Sequence, residues 1–289
     1  MDSESLRIFV AVAAELSITH AAARLGRVPS NVTTRIQQLE ADVGAPLFIR
    51  AGKRISLSSA GVRFLDYAQR LLALADEARH VVTDGRAGGT LRIGTMESTA
   101  ASRLPGVLAA FNAKHPATRI ELGTGPSRQL LEQVRDGRLD GAFVALPLSL
   151  GGLTGLKDLG LSAQKLWREA LLLLLPGSER DVRRASGVKT RALAAFKQGC
   201  TYRAMAEERL GVAGSAEWTI HEMGSYHAMM ACVAAGTCVT LLPASVLALS
   251  EAASTLPTLS AGHADTYLVW REGFAMPTFR DFRDALSQA

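Results

Sequence analysis

The sequence predicts an α/β protein that carries a small all-α winged helix-turn-helix at its N-terminus. Three observations predict it. The first 60 or so of the 289 residues hold three short helical patterns followed by a basic turn. Ser58 to about Thr83 holds no proline and one glycine, Gly61, near its start, as one long helix requires. From Thr90 onward, strand-like and helix-like segments alternate in two series of similar size, the rhythm of parallel sheets covered on both faces. Apolar residues make up 48% and charged residues 20% of the chain, which fits a globular protein and excludes a disordered one.

In the first region Leu6, Phe9, Val10 and Ala13 recur at helical spacing. Ala21, Ala22 and Leu25 mark a short second helix, with Ser17 or Thr19 as its cap. Gly26-Arg27-Val28 is a tight connection. A third helix begins near Pro29, whose fixed φ suits the first helical position, and Val32, Ile36 and Leu39 form its apolar stripe. Two helices joined by so short a turn make a helix-turn-helix. Over Phe48–Leu57 apolar residues flank Arg50, Gly52, Lys53 and Arg54, which predicts a hairpin, or wing, with a basic tip. In the long helix Phe64, Ala68, Leu71, Ala75, Ala78 and Val82 recur at spacings of four and three, and Leu65 and Leu72 enrich a neighbouring face. Two apolar faces on one helix suit a domain contact and a subunit contact. Residues 84–89, Asp-Gly-Arg-Ala-Gly-Gly, read as a hinge.

Leu91–Thr95, Arg119–Gly123 and Leu139–Ala145 read as strands, with helices over Ala101–Lys114 and Gln129–Asp136. A second series begins around Gln164. Its strands are expected at Ala170–Leu175, Gly199–Tyr202, Trp218–Glu222, Val239–Leu242 and Thr266–Trp270, with helices from Ser225 and near Phe279–Leu286. Two such series predict two lobes with a cleft between them. The expected domains are a helix-turn-helix unit over 1–60, a linker helix and hinge over 58–89, and a two-lobed domain over 90–289, with lobe I at 90–160 and 267–289 and lobe II at 161–266. Ala228–Leu249 carries no charge over a length that could span a bilayer. Gly236, Thr237 and Pro243 break it into a helix, a turn and a buried strand, so no membrane partner is expected. Asp2 and Glu4 stand where an export signal would carry positive charge, and a cytoplasmic protein is expected. Cys200, Cys232 and Cys238 form no CxxC pair and read as reduced thiols.

With Val32, Ile36 and Leu39 turned inward, a step of about 100° per residue carries Ser30, Thr33, Thr34 and Gln37 to the opposite side, with Asn31 and Gln38 at one edge and Arg35 at the other. Hydroxyls and amides on an outward helix face can hydrogen-bond base edges in a major groove. Arg24, Arg27, Arg35, Arg50, Lys53 and Arg54 surround that face, against Glu40 and Asp42 between positions 24 and 54. That local net charge of +4 is what phosphate contacts require, whereas the +5 of the whole chain only permits a nucleic-acid partner.

Residues 6–66 resemble the LysR-type transcriptional regulators. The segment LRIFVAVAAELSITHAAARLGRVPSNVTTRIQQLEADVGAPLFIRAGKRISLSSAG carries the match, through AA.RL, a helix ending in QLE, G.PLF.R and L(S/T).AG. LRIG, GRLDGAFV and VAAGTCVTLLP follow in matching order, so nearly the whole chain is covered. The resemblance implies a winged helix-turn-helix, a long dimerisation helix and an effector domain of two Rossmann-like lobes similar to the type 2 periplasmic binding proteins. It also implies homodimers or homotetramers on imperfect palindromic promoter sites in double-stranded DNA, a small-molecule effector, and RNA polymerase as a further partner. Contacts to bases and backbone would come from Pro29, Ser30, Thr33 and Thr34. The family's usual Ser-Gln-Pro at this helix start is Val28-Pro29-Ser30 here, so a capping side chain is missing, and the usual arginine is displaced by one to Arg35. Joined to the residues of the helical face and the wing, the candidate DNA-binding set is Arg27, Pro29, Ser30, Asn31, Thr33, Thr34, Arg35, Gln37, Arg50, Lys53 and Arg54.

In open α/β sheets, ligands sit beyond the C-terminal ends of strands, near helix starts. Gly94–Thr99 and Thr124–Ser127 hold such places in the first series, and Cys200–Arg203 and Gly224–His227 in the second. The resemblance puts effector contacts at Ser98, Thr99, Ser127, Thr201 and Ser225. The candidate set adds Glu97, Gly125, Cys200, Arg203 and His227. Plain helix capping explains a serine or threonine at such places equally well. Glu97 suits an amine ligand, a pairing with Arg203, or solvent. Cys200 invites an oxidant-sensing reading, but no second cysteine lies within 30 residues to resolve it, which favours a buried or pocket-lining thiol.

No GxSxG, P-loop or HExxH occurs, and the six histidines show no ligand spacing, so neither catalytic residues nor a metal or cofactor is expected. His227 beside Tyr226 and Ser225 lacks a placed acid. The other readings are a solute-binding protein and an architectural DNA-binding protein whose lobes bind nothing. Arg180–Arg191, with Arg183, Arg184 and Lys189, reads as a solvated charge run by default, with an extra DNA or subunit contact as the alternative.

Overall fold

A computed structural model describes residues 1–51, 54–82, 89–212 and 214–287. The chain forms two compact units, one built on Met1–Arg86 and one on Ala87–Arg135 with Leu139–Ala289.

The first unit runs α1 (Ser3–Glu15), α2 (Ile18–Arg24), α3 (Pro29–Val43), β1 (Phe48–Ala51), β2 (Arg54–Leu57) and α4 (Ser59–Val82). Asp2 caps α1 by accepting the Ser5 N–H at 2.8 Å. Ser17, and not Thr19, caps α2 by accepting from the His20 N–H. At α3 the cap position falls on Val28, which has no side-chain acceptor, and Pro29 begins the helix. Ile8 and Val12 join Leu6 and Phe9 in the core, while Val10 and Ala13 pack against it only in part. Phe9 sits between Phe48 and Phe64, with ring centroids 5.4 and 5.2 Å away. β1 and β2 pair antiparallel from Phe48↔Leu57 to Ala51↔Arg54 as the two arms of the expected wing.

Two local devices hold the wing to the helices. Glu40 Oε1 accepts the N–H groups of Leu47 and Phe48 at 2.7 and 3.0 Å. Ser58 Oγ donates to the Pro46 carbonyl at 2.6 Å and accepts from the Gly61 N–H at 2.9 Å. Gly61 is required there, because a Cβ would stand 2.0 Å from the Leu47 carbonyl oxygen. On α4, Phe64, Leu65, Ala68 and Leu72 pack inward. Leu71 and Val82 do not share that face as their spacing suggested; with Tyr67 and Leu74 they are exposed.

The second unit contains β3 (Gly89–Thr95), α5 (Glu97–Ser102), α6 (Leu104–Lys114), β4 (Thr118–Thr124), α7 (Ser127–Arg135), β5 (Gly141–Ala145), α8 (Gly152–Asp158), β6 (Leu161–Leu174) and β7 (Ala192–Ala195). It continues with α9 (Thr201–Leu210), β8 (Thr219–Glu222), α10 (Tyr226–Ala234), β9 (Thr240–Pro243), α11 (Ala244–Leu247), α12 (Glu251–Ser254), β10 (Thr258–Arg271) and α13 (Pro277–Leu286). One sheet has the order β4-β3-β5-β10-β6-β9, and β7 pairs with β8.

The expectation of parallel sheets holds only in part. β3 is parallel to β4 and β5, and β7 to β8. β10 runs antiparallel to β5 and β6, and β6 antiparallel to β9. β6 and β10 each span 14 residues and pair from Leu161↔Arg271 to Leu174↔Thr258. β5 pairs with Thr266–Val269 of β10, and the stretch of β6 opposite Thr266–Arg271 is Leu161–Trp167. The first crossing between lobes therefore falls inside β6 near Trp167, not at residue 161. A long two-stranded ribbon serves both lobes, where the sequence reading placed a break.

Alternation along the strands sorts side chains into separate cores. Phe143 of β5 packs with Phe111, Phe279 and Phe282, while Ala142 and Val144 face Leu131 and Val134 of α7. In the other lobe Leu173, Leu193 and Leu241 pack with α9 residues, and Leu174, Ala194 and Leu242 with α10 residues. Three expected elements are revised. The helix over Ala101–Lys114 is two helices that meet at Arg103. Gly199–Tyr202 is not a strand: Gly199 has φ 94°, Cys200 stands at the cap position, and α9 starts at Thr201. Ala228–Leu249 resolves into parts of α10, β9 and α11, and among the described residues no helix is long and apolar enough to cross a membrane. The basic loop after residue 179 is ordered by a buried acid: Glu179 accepts the Lys189 and Thr190 N–H groups at 3.0 and 2.7 Å and the Thr190 hydroxyl.

Candidate DNA-reading face and effector cavity

Val32, Ile36 and Leu39 are fully buried, so the opposite face of α3 points outward. Pro29, Ser30, Asn31, Thr34, Gln37 and Gln38 are exposed on it. Thr33 is half-buried and turns its hydroxyl back to donate to the Pro29 carbonyl at 3.0 Å. The arginines around this face are less free than the local charge suggests. Arg27 pairs with Glu4 at 2.6 Å, Arg35 with Asp2 at 3.4 Å, and Arg24 with Glu15 at 3.2 Å. All three acids lie outside the window over which the charge was counted. Exposed pairs of this kind contribute under about 1 kcal/mol each, so phosphate oxygens can displace them. Gly52 and Lys53 lie outside the described residues, as do the side chains of Arg50 and Arg54.

A cavity of about 370 Å³ opens at the C-terminal ends of the strands of the second unit. Met96, Glu97 and Ser98 reach it after β3, and Thr124, Gly125, Pro126, Ser127 and Gln129 after β4. Phe196, Lys197, Cys200 and Tyr202 follow β7, and Met223, Gly224 and Tyr226 follow β8. Two hydrogen bonds join the lobes beside it: Arg128 N–H to the Gly199 carbonyl at 3.2 Å, and the Thr201 hydroxyl to the Ala145 carbonyl at 2.8 Å.

Of the effector candidates, Glu97, Ser98, Gly125, Ser127 and Cys200 line this cavity. Five others do not, each for a local reason. Thr99 is buried one residue further along α5. Thr201 uses its hydroxyl on Ala145. Arg203 pairs with Glu207 at 2.7 Å and Glu222 at 2.6 Å and donates to the Phe196 carbonyl at 3.1 Å, which ties α9 to β7 and β8. Ser225 caps α10 by accepting the His227 N–H at 3.2 Å, and His227 is exposed. Sequence reasoning missed Tyr202, Tyr226, Phe196 and Met223. The first two stand one residue after the chosen Thr201 and Ser225. At a helix start, one step in sequence is about 100° in direction, so the Ser225 hydroxyl caps α10 and the Thr201 hydroxyl bonds Ala145 while the next ring in each case enters the cavity.

The cavity is electrostatically unfinished. Glu97 Oε2, Ser127 Oγ and the Tyr202 hydroxyl are all buried without a hydrogen-bond partner. Burial pushes the Glu97 carboxyl above its ordinary range, although the Tyr226 N–H and His227 favour its charged form. Burial likewise raises the Cys200 thiol, against two backbone N–H groups and Arg203. Below the floor, Glu169 accepts from Arg103 Nε at 2.7 Å and from the Ser245 hydroxyl at 2.9 Å. Tyr202 is raised first by burial and then by the charge of Glu169. No group of three or more His, Cys, Asp or Glu that could hold a metal ion occurs among the described residues.

A helix-turn-helix with a wing, joined to an α/β domain with a ligand-sized cavity at its strand ends, defines a one-component transcription factor. Residues 3–62 match the family model of the bacterial regulatory helix-turn-helix proteins of the lysR family, and residues 84–289 that of the LysR substrate binding domain. The chain is 34% identical to the HTH-type transcriptional regulator YusT of Bacillus subtilis (strain 168), over 99% of this chain and 96% of that protein. It is 33% identical to the HTH-type transcriptional regulator SoxR of Arthrobacter sp. (strain TE1826), over 93% of each. Its fold is similar to that of a full-length OxyR variant from Pseudomonas aeruginosa, with a TM-score of 0.71 at 19% identity over 99% of this chain and 97% of that one. It is also similar to CbnR, a LysR family transcriptional regulator, with a TM-score of 0.69 at 22% identity over 100% and 99% of the two chains. CbnR has been solved in complex with its target DNA as well. The chain belongs to the LysR family: it is a DNA-binding transcriptional regulator with an effector domain, not an enzyme.

Proposed function

We propose that the 370 Å³ cavity is where this regulator takes its effector, and that occupancy there changes how its dimer or tetramer grips promoter DNA. One observation carries the reading: three buried polar atoms, on Glu97, Ser127 and Tyr202, have no partner in the protein, and all three residues line the same cavity. Buried polar groups are almost always satisfied, so such a set marks where a ligand completes the hydrogen bonding. The effector acts by binding one arrangement of the oligomer better than another. On DNA, Ser30, Asn31, Thr34 and Gln37 meet base edges, with Pro29 and Thr33 setting the helix start against the backbone. Arg27, Arg35, Arg50, Lys53 and Arg54 meet phosphates. The sites are imperfect palindromes, read by two copies that meet through the exposed Tyr67, Leu71, Leu74 and Val82 of α4. The protein works in the cytoplasm and passes its signal to RNA polymerase. Cys200 serves as a lining thiol: its raised pKa disfavours the thiolate that oxidant sensing needs.

The test pairs thermal unfolding against a metabolite panel with footprinting of the DNA upstream of its own gene. A ligand at 100 times its Kd adds about 2.7 kcal/mol of stability, a readily visible shift. A compound that shifts the melt and alters the footprint supports the reading. Specific footprints that no compound alters would favour an architectural role. Ligand binding without any footprint would favour a solute-binding role.

A further inference from the structure

We propose that the effector is a small organic ammonium compound, its cationic nitrogen held by the Glu97 carboxylate beside the Ser127 and Tyr202 hydroxyls. The inference rests on the cavity being the effector site and adds the chemical class of its occupant. Arg203, the cation that the sequence offers to Glu97, is engaged by Glu207 and Glu222 instead. Glu97 Oε2 is therefore buried without a partner in a site that has acceptors to spare. Ser127 and Tyr202 are 1% and 3% exposed, and their oxygens too are unpartnered. The two hydroxyls can donate or accept, but the ionised Glu97 oxygen can only accept, so a donor with two or three N–H groups satisfies all three atoms whereas a carboxylate leaves Glu97 without a donor. An anionic ligand would instead set like charge against Glu97 where water is scarce. Lys197 lines this cavity but is exposed at its rim, and His227, which acts on Glu97 from outside the lining, is exposed too, so solvent screens both. The rest of the lining, with Met96, Pro126, Phe196 and Met223, suits a short hydrocarbon or aromatic body, and the rings of Phe196 and Tyr226 add faces that attract cations.

The experiment titrates the full-length protein with pentylamine, cadaverine and 2-phenylethylamine, set against pentanoate, glutarate and phenylacetate, by thermal unfolding and calorimetry. At least one amine is expected to bind and raise the Tm, and its carboxylate counterpart to leave the Tm unchanged. Glu97→Gln should weaken that amine at least tenfold, with the unliganded melt unchanged or higher, which separates lost recognition from lost folding. Gly125→Leu, at a position where a Cβ meets nothing closer than 3.5 Å, should abolish binding by filling the cavity. Binding of a carboxylate that Gly125→Leu abolishes would overturn the ammonium class and leave the cavity as the effector site. Amine binding indifferent to both variants would overturn both readings, as would no binding by any of the six probes.

Discussion

Single charges near the outward face of α3 are already paired within the protein. Asp2 both caps α1 and holds Arg35, and Glu4 holds Arg27. Asp2→Asn keeps an acceptor for the Ser5 N–H but removes the charge that competes with phosphate for Arg35. We expect it to tighten DNA binding by ~2- to 5-fold at moderate salt, the range of one exposed ion pair. Arg35→Ala should weaken binding and reduce the slope of log affinity against log salt by about one. A salt titration by fluorescence anisotropy checks both variants; equal slopes in wild type and Arg35→Ala would remove Arg35 from the phosphate contacts. Glu97 gives a prediction with a definite sign. Burial raises its pKa in the fold, so the ionised carboxyl opposes folding above that raised value, and the opposition fades as pH falls toward the unfolded-state value near 4.5. Glu97→Gln should therefore stabilise the unliganded protein by about 1 kcal/mol at pH 7, the low end for a partly buried unsatisfied charge. The two melting curves should converge near pH 4.5. A Glu97→Gln protein that is less stable than wild type at pH 7, with the deficit fading toward acid, would show that Glu97 is satisfied.

Elements are decided by their ends as much as by their faces. The cap position before α3 is Val28, which is 63% exposed and has extended backbone with no side chain to accept from the first turn. Val28→Ser should supply that acceptor and raise stability by about 0.5–1 kcal/mol in urea unfolding. This stabilisation should appear without loss of DNA affinity if the cap and the reading face are independent. The turn into α4 makes the opposite demand. Ser58 and Gly61 fit the Leu47 carbonyl so closely that Gly61→Ala must displace the wing. These motifs were legible as letters before their geometry was known, since Leu-Ser-Ser-Ala-Gly needs its glycine wherever the strand and helix meet this tightly. The break at Arg103 was legible too and was passed over: Pro105 stands in the first turn of α6, followed by Gly106, and a proline there marks a helix start rather than a helix interior.

At the scale of the whole molecule, we propose that α4 carries the assembly. Tyr67, Leu71 and Leu74 lie at i, i+4 and i+7 and are exposed in the single chain, while Phe64, Ala68 and Leu72 hold the helix to its own unit. Leu74→Glu should convert the oligomer to monomer in light scattering, with unchanged circular dichroism and a DNA affinity reduced by at least tenfold on a two-half-site probe. An unchanged mass would move the subunit contact elsewhere. The cavity is likewise a property of the whole second unit. Its lining comes from four strand ends in two lobes, and the lobes are joined through β6 and β10, which carry residues of both.

The sequence by itself determined the outward polar face of α3, the arms of the wing, the long helix, the family and the strand ends at which the cavity opens. Those features depend on short-range periods and on motifs whose residues touch within a few positions, so linear spacing preserves them. Only the tertiary structure decided that Thr201, Ser225 and Arg203 serve the framework while Tyr202 and Tyr226 enter the cavity. It alone showed that Arg27 and Arg35 already hold acidic partners from the N-terminus, and that the lobes share one mixed sheet. Each of these turns on which of two neighbouring residues points inward, or on which distant charge comes within 4 Å. Such directions are set by packing across the fold and leave no period in the chain.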